Sequence, residues 1–152
     1  MKFKNYINEK RYYGNQAVGV IIKSLNTGRI LVVKRAFSIW EGGSYSITIS
    51  GKIDTGETAK EAAYREIEEE LKYKGDLNLN LLDVFKDSNN NPHFQNNFTF
   101  FTYTGVVKEE FKPKLNWETI NYFWWNGKDK INGKLHTGTL RLLKKYKKRL
   151  FK

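Results

Sequence analysis

The 152 residues and their net charge of +11 indicate one domain that is long enough to bury a sizeable core. Ten Phe, nine Tyr and four Trp exclude a disordered chain, and no run reaches the roughly 18 apolar residues of a membrane-spanning helix. The absence of cysteine excludes disulfides, thiolate metal sites and a cysteine nucleophile. We therefore expect a single cytoplasmic domain over residues 1–152 with no membrane partner, and no secretory signal, since the basic N-terminus lacks an apolar segment.

The first third of the chain predicts a β-hairpin and a further extended segment. Gln16–Ser24 and Arg29–Lys34 are rich in β-branched residues, and the turn Asn26-Thr27-Gly28 lies between them. Beyond a loop, Ser46–Ser50 predicts a short extended segment that leads to Gly51. These three segments are the first candidates for strands of a sheet.

Thr58–Tyr73 has the periodicity of a helix. Thr58 is followed three residues later by Glu61, which is the pattern of a capping box at a helix N-terminus. Gly75 lies where a glycine commonly ends a helix. A helix that begins just after Thr58 and ends near Gly75 is therefore predicted.

Three more strands and a second helix are predicted in the rest of the chain. The strands cover Leu77–Phe85, Phe98–Val107 and Ile120–Trp125, and the helix covers Thr137–Lys152. We expect an apolar face of this helix to pack on the sheet and its lysines to lie in water; the face carries Leu140, Leu143 and Leu150. Docking of the basic helix on a membrane or on RNA is the alternative. The order of elements predicts an α/β fold with a mixed sheet covered by helices.

Acidic residues are concentrated in the first helix and the segments that flank it. Eight of the 16 acidic residues lie in Asp54–Asp76, whereas 27 basic residues are spread over the chain. With an advance of 100° per residue, Glu61 and Glu68 point to solvent. Three other glutamates share an arc of roughly 100° beside the apolar strip of the helix; these are Glu66, Glu69 and Glu70.

The carboxylate cluster has two interpretations. On an exposed helix like charges cost only about 0.2–0.5 kcal/mol per pair, so the cluster could be a solvated face. Near the core, two carboxylates repel by roughly 3 kcal/mol at an effective dielectric of 20, and such a pair needs protons or a cation. Oxygen ligands without Cys or His select Mg²⁺, Mn²⁺ or Ca²⁺. The loop Gly51–Glu57 adds a carboxylate near the helix, and Arg65 could pair with it, which favours a site for a metal–pyrophosphate complex.

The spacing of these residues resembles the catalytic box of the Nudix hydrolase family, G-x5-E-x7-R-E-U-x-E-E-x-G-U, in which U is a bulky aliphatic residue. The segment Gly51–Tyr73 reads GKIDTGETAKEAAYREIEEELKY. Seven fixed positions fall in register: Gly51, Glu57, Arg65, Glu66, Ile67, Glu69 and Glu70. Lys72 and Tyr73 replace the last two residues of the box, and Ser50 replaces the glycine that usually precedes it. Lys72 suggests that the helix continues to Gly75 instead of ending at the glycine of the box.

Outside the box, the resemblance extends over most of the chain. Residues 16–36 are similar to the opening hairpin of the family. Phe111–Trp125 and Leu135-His136-Thr137-Gly138 resemble the tail of small, MutT-like members from bacteria and phages. The resemblance implies an α/β/α sandwich with a mixed β-sheet, in agreement with the strands and helices predicted from the residues alone.

The resemblance also implies a metal site and a reaction. Glu66, Glu69 and Glu70, helped by the carbonyl of Ser50, would bind Mg²⁺, for which Mn²⁺ could substitute. Such ions neutralise charge on phosphate oxygens and lower the pKa of a bound water that attacks phosphorus. The reaction implied is hydrolysis of a pyrophosphate bond in a nucleoside diphosphate derivative.

Other residues are candidates for supporting roles in this reaction. Arg65 would orient Glu57 or Glu69, because its planar fork suits a carboxylate. Glu118 is the first candidate for the general base or an extra metal ligand, with a plain surface glutamate as the alternative; Glu57 or Glu70 is the second candidate. Arg35 either reaches a substrate phosphate or is a solvent-facing charge at the end of a strand. Four aromatic residues could stack on a base or simply pack against neighbours: Trp40, Tyr45, Phe94 and Trp117. His136 has no assigned role beyond that of a loop histidine.

The sequence leaves the substrate and the assembly open. Nucleoside triphosphates, ADP-ribose or nucleotide sugars, dinucleoside polyphosphates, and capped or 5′-phosphorylated RNA are all compatible with the box. The positive charge indicates either attraction of a polyanionic partner or a lysine-rich composition of the genome. A catalytically weak nucleotide- or RNA-binding sensor is the alternative to an enzyme. The protein is expected to be a monomer or a homodimer.

Overall fold

The computed structural model describes residues 15–87 and 98–152, which form seven strands and two helices. The strands are β1 (Gln16–Ser24), β2 (Ile30–Arg35), β3 (Tyr45–Ser46), β4 (Ile49–Lys52), β5 (Asn80–Asp87), β6 (Phe98–Val107) and β7 (Thr119–Trp125); the helices are α1 (Ala59–Leu71) and α2 (Thr137–Leu150). Neither helix in the described ranges is long and apolar enough to cross a membrane. The basic N-terminal segment and Phe94 lie outside the described residues.

The described strands form one mixed sheet with β1 near its centre. β1 pairs with β2 and β4 in antiparallel orientation and with β6 in parallel orientation. The strand order is β3-β2-β1-β6-β5, with β4 attached to β1 and β7 attached to β2. The first two strands are joined by a turn in which Gly28 has a φ of 73° and donates its N–H to Ser24 O at 2.8 Å. The predicted hairpin and mixed sheet are confirmed.

Helices cover both faces of the sheet. Residues alternate along β1, so that Val18, Val20 and Ile22 enter a core cluster with α1, whereas Ile21 enters a second cluster with α2. Both faces of this inner strand are buried, which explains its continuous apolar sequence. The resulting helix–sheet–helix arrangement confirms the predicted α/β/α sandwich.

The first helix begins as predicted but ends earlier. Thr58 Oγ1 accepts the N–H of Glu61 at 3.1 Å, and Glu61 Oε1 accepts the N–H of Thr58 at 2.9 Å, which completes the capping box. The helix ends at Leu71, because Lys72 adopts a left-handed conformation with a φ of 58° and donates its N–H to Glu68 O. The prediction that the helix continues to Gly75 was therefore wrong.

The burial of two helical residues differs from the prediction: one that was expected in solvent is buried, and one that was expected in the core is exposed. Glu61 was predicted to point to solvent, but it is buried, because both its N–H and its carboxylate face Thr58 in the capping box. Leu140 was predicted to pack on the sheet, but 52% of it is exposed. The buried face of α2 instead carries Thr139, Leu142 and Leu150. Leu140 is about 160° from Leu142 on the wheel, so the two cannot share that face.

Two predicted strands have boundaries that differ from the observed ones by more than one residue. The segment 46–50 contains parts of two strands, since β3 ends at Ser46 and β4 begins at Ile49, with Ser46 Oγ accepting the N–H of Thr48 at 3.1 Å between them. The strand predicted from Leu77 begins at Asn80, because Asn78 has a φ of 44° and cannot continue an extended ladder.

Candidate active site

The divergence of β1 and β2 creates the space in which the candidate residues meet. β1 pairs with β2 at Lys23 and with β4 over Ala17–Val20, so β4 fills the gap as β2 turns away. Arg35 ends β2, and its neighbour Ala36 donates its N–H to Glu118 O at 2.9 Å just before β7. The ends of β2 and β4 and the start of β7 therefore surround one cleft.

The carboxylate of Glu66 enters this region because Gly51 has no side chain. A Cβ atom at Gly51 would overlap the carboxyl group of Glu66. Gly51 lies in β4 opposite Val18 of β1, so the helix face approaches the sheet closely at this point. The glycine is thus required by close contact, since its backbone needs no left-handed conformation.

Arg65 connects α1 with the loop that precedes it. Its Nε and Nη2 donate to the two carboxylate oxygens of Glu57 at 2.8 and 3.0 Å. Nη2 also donates to Lys52 O at 2.7 Å, and Nη1 donates to Glu66 Oε1 at 2.7 Å and to Glu69 Oε2 at 3.4 Å. Burial opposes the charge of Glu57, but the hydrogen bonds from Arg65, the backbone N–H of Asp54 and the charge of Arg65 together outweigh it and lower the pKa of Glu57. The hydrogen bond with Glu57 is the main cause of the raised pKa of Arg65.

The three glutamates of the predicted arc differ in burial. Glu66 and Glu70 are 7% and 5% exposed, whereas the side chain of Glu69 is 56% exposed at the solvent edge of the helix. Burial raises the pKa of Glu66 to about 7, although Arg65 opposes this shift. Burial, the hydrogen bond and charge of Glu118, and the charge of Glu66 raise the pKa of Glu70 to about 9. Burial and neighbouring carboxylate charges thus both disfavour the ionised form of these two acids.

Glu118 reaches Glu70 from the loop before β7. Asn116 fixes this loop on α1, since its Nδ2 donates to Glu69 O at 3.3 Å and its Oδ1 accepts the N–H of Glu118 at 3.0 Å. The structure thus brings together Glu118 and Glu70, which are distant in sequence. Asn116 was not singled out from the sequence, because the amide bridges two elements whose proximity only the fold creates.

The donor set fits a hard divalent cation. Glu70 Oε2 is buried without a hydrogen-bond partner among the described residues, and its neighbours Glu66 and Glu118 contribute only further carboxylate oxygens. A cation would satisfy this oxygen and offset the burial and the neighbouring carboxylate charges that raise the two pKa values. Within residues 15–87 and 98–152, no group of three or more Asp, Glu or His side chains is arranged to hold a metal ion. Arg65 Nη1 lies against Glu66 Oε1, one of the oxygens that such an ion would take.

Arg35 lies beside the acidic cluster. Its Nε donates to Trp40 O at 2.9 Å. Burial lowers the pKa of its guanidinium, while Glu41, Glu70 and Glu118 oppose this shift by their charges. The guanidinium is thus partly buried near the carboxylates and is not a fully solvated charge at a strand end.

A cleft of about 730 Å³ extends from this cluster along the α2 side of the sheet. Ser50, Gly51 and Glu118 line it at the acidic cluster, and Phe85 and Arg141 belong to the same lining. Two of the predicted aromatic candidates, Trp40 and Trp117, also line the cleft and are 40% and 69% exposed. The third, Tyr45, instead packs edge-to-face on Phe123 at 5.7 Å between ring centroids.

His136 has a structural role that its sequence position did not reveal. Its Nδ1 accepts the N–H of Gly138 at 3.0 Å and so caps α2, and its Nε2 lies 3.0 Å from Glu41 Oε2. Burial and the charge of Arg35 lower the pKa of His136, against the charge of Glu41. Glu41 also accepts the hydroxyl of Thr137 at 2.9 Å. Glu41 and His136 therefore fix the loop after β2 to the start of α2, and both Trp40 and His136 face the cleft.

Comparisons with known proteins agree with this architecture. The family profile described as the NUDIX domain matches residues 15–145. Dihydroneopterin triphosphate diphosphatase of Haemophilus influenzae is 26% identical over 149 residues, which cover 90% of this chain and 89% of that protein.

Solved structures share the fold. The NUDIX domain of Shewanella oneidensis NrtR, crystallised with ADP ribose, superposes with a TM-score of 0.71 at 16% identity and covers 99% of both chains. Dihydroneopterin triphosphate pyrophosphohydrolase of E. coli gives a TM-score of 0.58 at 21% identity and covers 78% of this chain and 84% of its own. Because the family profile spans most of the chain, the protein belongs to the Nudix family and is a Nudix hydrolase.

Proposed function

We propose that this protein hydrolyses a pyrophosphate bond in a nucleoside diphosphate derivative, or in a similar ring compound with a phosphate chain, and that the reaction depends on Mg²⁺. The observation that carries the proposal is the buried carboxylate pair Glu66 and Glu70, with the unpartnered Glu70 Oε2, beside a cleft of about 730 Å³. A buried acid beside a cleft whose pKa is raised by burial and by charged neighbours is a candidate functional residue. Mn²⁺ is expected to replace Mg²⁺, since both favour oxygen ligands.

The residues would divide the work as follows. Glu66 and Glu70 would hold the ion, and Glu69 and the Ser50 carbonyl would contribute further oxygen ligands. When bound, Mg²⁺ supplies neutralisation of the phosphate charge and activation of water. Arg65 holds Glu57 and Glu66 in place by charge-assisted hydrogen bonds. Arg35, which is partly buried near Glu70, binds a phosphate oxygen of the substrate.

Glu118 is the proposed general base. It lines the cleft and contacts Glu70, so it is within reach of a water held at the acidic cluster. Glu118→Gln should lower kcat by about 10²–10⁴-fold, the usual contribution of a positioned base, with a smaller change in KM. Glu57 is less suited to this role, because Arg65 occupies both of its carboxylate oxygens.

The relatives suggest which substrates to test first. The protein from Haemophilus influenzae is named for dihydroneopterin triphosphate, and the Shewanella oneidensis domain is described with ADP ribose. A triphosphate on a flat heteroaromatic ring is our first candidate, because the cleft is lined by Phe85, Phe98 and Phe100. ADP-ribose, dinucleoside polyphosphates and capped RNA complete the panel.

The test is an assay of this panel with Mg²⁺ or Mn²⁺ and identification of the products, on wild type, Glu70→Gln and Glu68→Gln. Glu68 is the matched control, because it is an exposed glutamate on the same helix. Glu70→Gln should lose more than about 100-fold in kcat/KM, since loss of an outer-shell partner alone costs about 10–100-fold. Glu68→Gln should keep wild-type activity.

Two results would contradict the proposal. One is the absence of hydrolysis of every compound with either metal by a wild type whose thermal unfolding is cooperative. The other is equal activity of Glu70→Gln and Glu68→Gln. Binding of a nucleotide without turnover in the wild type would instead support a sensor.

A further inference from the structure

Arg141 is held in a fixed orientation at the side of the cleft. Its Nη2 donates to Asp83 Oδ2 at 2.7 Å, and its guanidinium carbon lies 4.7 Å from the ring centroid of Phe85. Asp83 is 3% exposed at its side chain and also accepts the hydroxyl of Tyr146 at 2.6 Å. A carboxylate on one edge and an aromatic ring on one face leave little rotational freedom to the planar fork.

Arg141 still has hydrogen-bond donors for a ligand. An arginine has five N–H donors, and among the described residues Asp83 is its one hydrogen-bond acceptor. The side chain remains 32% exposed and belongs to the lining of the cleft. Its free N–H groups are therefore available at the cleft wall, next to Phe85.

This donor lies far from the acidic cluster. Lys52, Ala17, Phe100 and Phe85 are consecutive partners across the four strands β4, β1, β6 and β5, and all four line the cleft. Three steps between strands span about 14 Å. Lys52 lies at the end of the cleft next to the acidic cluster, because its carbonyl accepts a hydrogen bond from Arg65. Phe85 and Arg141 thus lie where the ring of an extended nucleotide would rest when its phosphate chain reaches the carboxylates.

The end of the cleft at Arg141 favours a ligand ring that presents hydrogen-bond acceptors. Phe85, Phe98, Phe100 and Leu142 belong to the described lining together with Arg141, and none of them carries a carboxylate. The carboxylate that contacts Arg141, that of Asp83, is 3% exposed and already accepts from Arg141 and Tyr146, so it is not offered to an amino group of a ligand. A planar arginine fork binds two adjacent acceptors, such as a carbonyl oxygen and the neighbouring ring nitrogen of guanine. An adenine ring has an amino group where guanine has its carbonyl, so a hydrogen-bond donor of the ligand would face a donor of the arginine.

We propose that Arg141, held by Asp83 and Phe85, determines specificity for rings that carry a carbonyl beside a ring nitrogen, such as 6-oxopurines and pterins, over 6-aminopurines. Asp83 acts as a positioning residue. The proposal rests on the proposed function for the orientation of the ligand, and it adds the polar group that distinguishes one ring from another.

The test measures binding of GTP and ATP in EDTA, where no metal-dependent turnover occurs, by quenching of tryptophan fluorescence. Trp40 and Trp117 line the cleft and supply the signal. Wild type should bind GTP on the order of tenfold tighter than ATP. Arg141→Lys keeps the charge but loses the fork, so it should bind GTP about as weakly as ATP and leave ATP affinity unchanged.

Lys145→Met is the matched control. Lys145 Nζ lies 3.6 Å from Asp83 Oδ1, is 61% exposed and does not belong to the cleft lining, so the change removes a cation near the same carboxylate without altering the cleft. Its preference for GTP should equal that of wild type. The ratio measured on wild type tests the proposal even where a variant folds poorly.

Equal affinity of wild type for GTP and ATP would overturn the proposal. So would an equal loss for both nucleotides in Arg141→Lys, which would identify Arg141 as a phosphate contact. A GTP preference in EDTA without hydrolysis of any compound would reject the proposed function and leave this inference standing. Hydrolysis by a protein that binds GTP and ATP equally well would support the proposed function and reject this inference.

Discussion

At the scale of single residues, Arg65 joins three parts of the chain through one guanidinium group. It binds the loop carboxylate of Glu57, the helix carboxylate of Glu66 and the strand carbonyl of Lys52. A lysine carries the same charge but has no planar fork that can meet all three at once. The geometry of the acidic cluster thus depends on the shape of this side chain as well as its charge.

Arg65→Lys should therefore lower activity while the protein stays folded. Loss of such an outer-shell partner typically costs about 10–100-fold in metal affinity or activity. We expect the Mg²⁺ concentration for half-maximal rate to rise and kcat to fall within that range. Titration of Mg²⁺ at saturating substrate measures both quantities.

Arg29→Lys is the control for this change. Arg29 forms a similar fork with Glu110, at 2.6 and 2.9 Å, but does not belong to the cleft lining. It should retain wild-type kinetics. If both variants lose activity equally, the effect of Arg65→Lys comes from general destabilisation and not from the acidic cluster.

Single residues were predictable where their partners are near in sequence. Glu66 and Glu69 follow from the spacing of one helix, and Glu57 lies in the same box, so their placement around Arg65 could be anticipated. Asp83 and Arg141 are 58 positions apart, and neither belongs to a local pattern. Their contact depends on which strand α2 crosses, and this information is distributed over the whole fold.

At the scale of elements, the end of α1 contains a strained residue. Lys72 has a φ of 58° and ψ of 30°, a left-handed conformation that costs a residue with a Cβ atom roughly 1–2 kcal/mol. Glycine adopts this conformation readily, but it loses more conformational freedom on folding, which offsets about 0.5–1 kcal/mol of the strain that is relieved. Lys72→Gly should thus raise the free energy of unfolding by about 0.5–1 kcal/mol in urea denaturation.

Lys72→Ala separates backbone strain from the lysine side chain. It removes the same charge but keeps the Cβ atom, so it should give no gain in stability. An equal gain in both variants would show that the side chain, and not the left-handed backbone, limits stability here. The identity of the side chain at position 72 favoured continuation of the helix, but Lys72 adopts the left-handed conformation, and Leu71 O accepts the N–H of Lys114 at 3.1 Å.

Asp83 connects β5 to α2 through its charge. Burial opposes ionisation, but hydrogen bonds from Arg141 and Tyr146 outweigh it and lower the pKa of Asp83 below its ordinary value of 3.8. A carboxyl of lowered pKa contributes stability that is present above the ordinary pKa and is lost as pH falls through the folded value. Asp83→Asn should thus destabilise by on the order of 1–3 kcal/mol at pH 7.

The pH dependence distinguishes charge from shape in this contact. The difference in free energy of unfolding between wild type and Asp83→Asn should shrink as pH is lowered from 7 to below 3.8, because the carboxyl group of the unfolded chain takes up a proton there while Asp83 in the folded protein stays charged to a lower pH. Urea denaturation at several pH values measures it. A difference that stays constant over this range would mean that the carboxylate charge contributes nothing.

The presence of each helix and strand was predicted well, because it depends on the periodicity of the sequence. The ends were predicted poorly where they depend on the backbone conformation of a single residue. Each predicted strand and helix is present, because β-branched runs and the 3.6-residue period are local properties. Their ends moved where Asn78 and Lys72 take left-handed backbone conformations. On α2 the wheel chose the wrong leucine, since lysines on nearly all sides leave the apolar face poorly defined.

At the scale of the whole molecule, the protein has a net charge of +11, and two of the glutamates in its acidic cluster, Glu66 and Glu70, are buried. A positive field speeds the encounter with an anionic substrate, and salt screens it. The Debye length is about 30 Å at 0.01 M ionic strength and about 8 Å at 0.15 M. Charges remote from the cleft therefore attract an anionic substrate at low salt but have no such effect at physiological salt.

This difference decides between the two explanations of the charge. Lys144→Glu with Lys148→Glu changes two exposed residues of α2 outside the cleft lining and lowers the net charge from +11 to +7, two units for each exchange. If the field attracts substrate, kcat/KM of wild type should fall on the order of tenfold between 0.01 and 0.15 M salt at constant Mg²⁺. The double variant should fall less and coincide with wild type at 0.15 M, with kcat unchanged throughout. Identical salt profiles of the two proteins would assign the lysines to composition alone, because a remote charge that steers substrate must lose its effect when the Debye length becomes shorter than its distance from the cleft.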